Sequence, residues 1–152
     1  MLARLAAFAV AAAAGAAFAQ PVPARYPADY AQTITAANKE GKVVIYSALD
    51  TKAAQPLVKD FSALYPNIKV EYSDLNSTEL YNRFIAEAAS GQGSADVMWS
   101  SAMDLQVKLV DDGQAMTYAS PEVSKLPTWA VYKNQAYGTT YEIGRASCRE
   151  RV

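Results

Sequence analysis

Hydroxyl, amide and carboxylate side chains gather at three places in this chain. They are Ser47, Asp50 and Thr51; Asn76, Ser77 and Thr78; and Ser100 and Ser101. Each group stands where an apolar run gives way to a helical pattern. A helix start carries free backbone N–H groups and the positive end of the helix dipole, which suits an anionic group. The same residue types also serve as ordinary N-caps. A single turn of this kind argues for capping. Three on one common edge argue for a binding surface with equal weight. Asp50 opposes a bare anion unless a cation comes with it.

Catalysis finds little to work with. The chain has no His, so the commonest general base and metal ligand is missing. No Gly-x-Ser-x-Gly elbow occurs. The single Cys148 can form neither an internal disulfide nor a multi-Cys metal site. Asp50, Asp74, Asp96 and Asp104 could pair for acid–base work or hold a hard metal. Solvated or capping roles fit them better, and Asp96 reads as satisfying local backbone. Gly91 and Gly93 lack the spacing and the Gly-Lys-Ser/Thr of a phosphate loop, and read as a flexible connection. Trp99 ends an apolar run, where it either fills core or walls a ligand cleft. Tyr46, Tyr65, Tyr72 and Tyr81 read as packing. No cofactor is indicated.

The elements that must position these residues follow from periodicity. Residues 28–39 carry Tyr30, Ile34 and Ala37 at helical spacing, ended by Glu40 and Gly41. Residues 42–46 are β-branched and aromatic, the composition of a buried strand. Asp50 or Thr51 then caps a helix whose face is Ala54, Leu57, Val58, Phe61 and Leu64, stopped by Pro66 and Asn67. A second strand spans residues 68–72. Asn76 and Glu79 have capping-box spacing ahead of a helix faced by Leu80, Tyr81, Phe84, Ile85 and Ala88. A third strand spans residues 95–99. Ser101 with Asp104 repeats the capping spacing, before a helix faced by Met103, Gln106, Val107 and Val110. Residues 120–125 read as a polar turn or one helical turn. Residues 129–132 and 136–141 read as two strands. Three strand–turn–helix units in sequence predict a parallel α/β sheet, with all three polar turns along the carboxyl edge where ligands bind. The first candidate surface is Ser47, Ala48, Asp50 and Thr51.

The two ends read differently from the middle. Arg4, the apolar run 5–14 and the Ala17-Phe18-Ala19 step make residues 1–19 a secretory signal peptide, cleaved after Ala19. The run is too short and Ala-rich for a membrane anchor. With no Cys at position 20, a lipoprotein anchor is not indicated. Residues 20–27 hold three prolines and read as a mobile leader before the first helix, which closes by residue 40. Residues 143–152 have no apolar period. They match, codon by codon, a translation of a common sequencing adapter, and are expected to be foreign to the protein. Setting aside Arg4, Arg145, Arg149 and Arg151 from fourteen basic residues, and Glu150 from fifteen acidic ones, leaves ten against fourteen, a net of −4. That mildly acidic balance argues against nucleic acid.

Four segments together carry a resemblance: Val43 to Ser47 (Val-Val-Ile-Tyr-Ser), Tyr65 to Val70 (Tyr-Pro-Asn-Ile-Lys-Val), Ala95 to Ser101 (Ala-Asp-Val-Met-Trp-Ser-Ser) and Tyr137 to Tyr141 (Tyr-Gly-Thr-Thr-Tyr). In this order they resemble the periplasmic solute-binding proteins of ABC importers, nearest to the type 2 group that handles ferric iron and related solutes. The resemblance covers residues 41–142. It implies the first lobe of a two-lobe α/β fold over residues 41–136, a crossover beginning at 137–142, and a second lobe that is missing. Ligand would bind between the lobes, and hinge closure would present it to a membrane permease. Carried over residue by residue, Ser47, Asp50 and Thr51 match the first ligand loop, Ser77 the second, and Ser100 and Ser101 the third. Ala48, Trp99 and Tyr141 join them as candidate contacts. Some iron-binding relatives place a His in the first loop, where this chain has Ala48 or Leu49. Ferric iron therefore stays only one cargo among small anionic organic and phosphorus compounds. The implied protein is a periplasmic monomer, not an enzyme. The alternative is part of an exported hydrolase or transferase whose catalytic residues lie elsewhere. A sensory ligand-binding domain is a third reading.

Overall fold

The computed structural model describes residues 22–91, 94–118, 120–128, 131–132 and 135–136. In chain order the elements are α1 (Tyr30–Glu40), β1 (Lys42–Ser47), α2 (Thr51–Leu64), β2 (Lys69–Asp74), α3 (Ser77–Ala89), β3 (Val97–Trp99) and α4 (Met103–Asp111). A 3-10 turn (Val123–Lys125) and a small hairpin of β4 (Val131–Tyr132) and β5 (Gln135–Ala136) follow. The turn fits the reading of residues 120–125. The hairpin pairs Val131 with Ala136, and the rest of its predicted strands lies outside the described residues.

The main sheet has strand order β2-β1-β3, and both pairings are parallel. Gly41 ends α1 at φ +74°, donating its N–H to Ala37 O, and so turns the chain into β1. The ladder then runs in step from Lys42 with Lys69 to Ser47 with Asp74. The third strand starts later than its sequence suggests. Asp96 N–H donates to Val44 O at 2.9 Å, and the Asp96 carboxylate accepts from Val44 N–H at 2.8 Å. This side chain stands in for a ladder bond, the local backbone role read from the sequence. The crossovers β1 to β2 and β2 to β3 run in opposite directions. Right-handed connections therefore put α2 and α3 on opposite faces.

The core is small. Among the described residues, Ile34, Tyr46, Ala54, Ile68, Leu80 and Leu109 are buried apolar residues, and Ser47 is the buried polar one. Two predicted helix faces need correction. On α2, Ala54 is buried and Val58 and Phe61 half-buried, but Leu57 and Leu64 stay 60% and 61% exposed. A three-strand sheet is too narrow to cover a full apolar stripe. On α4 the deeply buried residue is Leu109, whereas Met103 remains 44% exposed. The cap there also differs: Ala102, not Ser101, is the N-cap, and no side chain caps it. Residues 25 and 26 of the predicted leader make contacts with the rest of the chain. The Tyr26 and Tyr30 rings meet at a tilt of 51° with centroids 4.5 Å apart, and Arg25 pairs with Glu122 at 3.5 Å. Among the described residues, no helix is long and apolar enough to cross a membrane.

Candidate functional site

The three polar turns meet on the carboxyl edge of the sheet, because backbone bonds continue past the strand ends. Leu75 N–H donates to Ser47 O, joining the second turn to the first at 2.9 Å. Ala48 N–H donates to Trp99 O, joining the first turn to the third, also at 2.9 Å. Central strand β1 thus ends in a turn held from both sides.

That first turn spends most of its polar groups on itself and on β2. Ser47 is fully buried, and its hydroxyl accepts from Leu49 N–H at 3.0 Å. The Tyr72 hydroxyl donates to Leu49 O at 2.6 Å. Asp50 is the N-cap of α2, accepting from Lys52 N–H at 2.8 Å. Asp74, the last residue of β2, accepts from both Thr51 N–H (3.0 Å) and Thr51 Oγ1 (3.2 Å). Two carboxylates therefore answer two of the free N–H groups at the start of α2, which favours no further anion there.

The second and third turns leave more to offer. Asn76 caps α3 by accepting from Glu79 N–H at 2.9 Å, while its own amide donates to the Glu79 carboxylate at 3.2 Å. This is a capping box closed through side chains. Among the described residues, no acceptor meets the backbone N–H of Ser77 or Thr78. Ser77 and Ser100 lie hydroxyl to hydroxyl at 3.0 Å, both half-buried. The Ser100 hydroxyl also accepts from Ala102 N–H at 3.2 Å. With one serine donating to the other, one hydroxyl proton of the pair remains for a further acceptor. No group of three or more His, Cys, Asp or Glu suited to a metal occurs among the described residues.

The profile of the bacterial extracellular solute-binding proteins matches residues 47–143. This chain belongs to that family. The solved structure titled as the substrate binding protein of the ABC transporter from Agrobacterium tumefaciens is 39% identical, with a TM-score of 0.59. The match covers 64% of this chain and 29% of that one, so this chain spans less than a third of the solved protein. The parallel α/β unit is similar to a lobe of such a binding protein. No curated protein matches this family member.

Of the residues picked out from the sequence, the structure brings Ser77 and Ser100 into contact across two turns. Asp50, Thr51 and Ser101 are exposed on the same edge, and Ala48 and Trp99 are half-buried. Ser47 sits on the edge, but its side chain faces inward with no exposed surface. Tyr141 lies outside the described residues. Sequence reading passed over Tyr72 as packing and gave Asp74 no partner. Their signal was their place, two apart at the end of a strand and hence on one face, beside the turn of the neighbouring strand.

A second polar cluster lies on the opposite face of β1. The buried Tyr46 hydroxyl donates to both Glu87 oxygens, at 2.8 and 3.0 Å. Arg83 Nε and the Ser94 hydroxyl donate to the same carboxylate, at 2.8 and 3.0 Å. Burial, then the Glu87 bond, pushes the Tyr46 phenol above its ordinary value of 10.0. The bond from Arg83, then that from Tyr46, holds the Glu87 carboxyl below its ordinary value of 4.5. This cluster fixes α3 to the sheet and does not reach the edge.

Proposed function

We propose that this chain is part of the solute-binding subunit of an ABC importer, exported to the periplasm. There it would capture a small solute and pass it to the membrane permease. One observation carries the reading: three strand-to-helix turns meet on one sheet edge, in a chain 39% identical to a protein described as an ABC transporter's substrate-binding protein. Ligands of open parallel sheets sit on that edge. We assign the contact surface to Ala48, Asp50, Thr51, Ser77, Trp99, Ser100 and Ser101, and keep Tyr141, outside the described residues, as a further candidate. The cargo we assign is a small anionic organic or phosphorus compound, or ferric iron carried as cargo. Its anionic group would lie nearer Ser77 and Ser100 than the carboxylate-bearing first turn. We read the protein as a monomer that binds without turnover.

The test is titration of the purified chain with inorganic phosphate, succinate and ferric citrate, followed by calorimetry and amide NMR. The expected result is saturable binding of one of them, with the largest shifts at Ser77, Thr78 and Ser100 and no new product in the spectrum. Chemical conversion of a probe would overturn the binding-protein reading. Failure of all three to bind would overturn the cargo class.

A further inference from the structure

The first turn is braced by bonds from each of its polar side chains. Ser47 Oγ is committed to Leu49 N–H, Asp50 Oδ1 to Lys52 N–H, and Thr51 Oγ1 to Asp74. Its main chain is nearly exhausted too. Ala48 N–H goes to Trp99, Thr51 N–H to Asp74, Ser47 O to Leu75, Leu49 O to Tyr72, and Asp50 O to Ala54 N–H. Among the described residues, the groups of residues 47–50 left without an internal partner include the Ala48 carbonyl and the Asp50 N–H.

We infer that Tyr72 and Asp74 are positioning residues of the solute site, holding the first turn so that its main chain, through Ala48 O and Asp50 N–H, meets the solute. Tyr72 and Asp74 are two apart at the end of β2 and project on one face. They grip the turn at Leu49 and Thr51, on either side of Asp50. At 2.6 Å the Tyr72 bond is short for a hydroxyl donor. It fixes the peptide between Leu49 and Asp50, and with it the direction of the Asp50 N–H. A preorganised main-chain contact loses little entropy when a ligand docks. The inference rests on the edge being the solute site, as proposed above.

The experiment compares the wild-type chain with Tyr72→Phe, which removes one hydroxyl and keeps the ring. Amide hydrogen exchange is read by NMR without any solute. The expected result is exchange about fivefold faster at the hydrogen-bonded amides of Leu49 and Thr51, the scale of one lost hydrogen bond, with Val44, Ile45 and Tyr46 unchanged. Unchanged rates at the turn, or equal acceleration throughout β1, would overturn a positioning role. Asp74→Ala gives the same readout at Thr51 should the first variant fail to fold. Inorganic phosphate, succinate and ferric citrate are then added. A probe that binds the wild type should shift the Asp50 amide and bind Tyr72→Phe about fivefold more weakly. A probe that binds while leaving Asp50 unmoved overturns the main-chain contact. Should none bind, the cargo reading fails, and the exchange rates still decide whether Tyr72 positions the turn.

Discussion

Tyr46 and Ser47 are adjacent in β1 and point to opposite faces, and each buries a hydroxyl with a defined partner. Tyr46 shares Glu87 with Arg83, whose guanidinium also lies 4.5 Å over the tyrosine ring. Glu87 has its pKa depressed in the folded state, so its contribution is present above about 4.5 and is lost as pH falls through the folded value. The Tyr46 phenol is raised, so its contribution is present below 10.0 and is lost as pH climbs past the folded value. Glu87→Gln should therefore flatten the fall of Tm with acid below about pH 4.5, relative to wild type. Parallel curves for the two proteins would remove Glu87 from the acid response. Ser47→Ala should cost about 1 kcal/mol by orphaning Leu49 N–H, and by loosening the first turn it should weaken solute binding about fivefold, as Tyr72→Phe does. Calorimetric titration beside denaturant unfolding measures both. The sequence placed Ser47 at the edge correctly but not its direction, since only the fold shows that β1 is central. Glu87 sits forty-one residues from Tyr46, and no local spacing announces such a pair.

At the level of elements, what is local was readable and what depends on sheet width was not. The three strand–turn–helix units and the caps at Asp50 and Asn76 follow from neighbours within four residues, and all appear in the structure. The exposure of Leu57 and Leu64 depends on how many strands lie beneath α2, which no helical pattern encodes. The cap expected of Ser101 does not form because Ala102, one residue further on, is the N-cap of α4. Asn76→Ala should cost about 1 kcal/mol, because Glu79 N–H and the Glu79 carboxylate lose their partner together. Gly41→Ala should cost about the same, since φ is +74° there. A Cβ at Gly41 would find Asn67 O at 3.9 Å, ordinary contact, so the cost is backbone strain rather than collision. Denaturant midpoints at constant slope would check both, and a stabilised Gly41→Ala would contradict the strain argument.

For the whole molecule, the sheet is the unusual feature. Parallel sheets are normally covered on both faces. Here Val43, Val44 and Ile45 of the central strand are only half-buried, and Val97 of β3 is 42% exposed. Met116 and Tyr118 add 87% and 49% exposure beyond α4. Strands β2 and β3 are both edges among the described residues, and an edge strand offers unpaired backbone groups to any other chain. A well-packed domain unfolds with an enthalpy of about 0.7 kcal/mol per residue near 60 °C. That enthalpy comes from close packing and internal hydrogen bonds, and a half-covered sheet supplies less of both. This chain should therefore fall well below the ordinary value. It should also bind a hydrophobic dye before it unfolds, as open apolar surface does. Differential scanning calorimetry at several concentrations checks the argument. The expected trace is a weak transition followed by concentration-dependent aggregation through the open strands. A sharp, reversible transition at the ordinary enthalpy, with no dye bound in the native state, would mean that the central strand is covered in solution. The half-buried state of Val43 to Ile45 would then be wrong, and with it the view that the faces of this sheet are only partly covered.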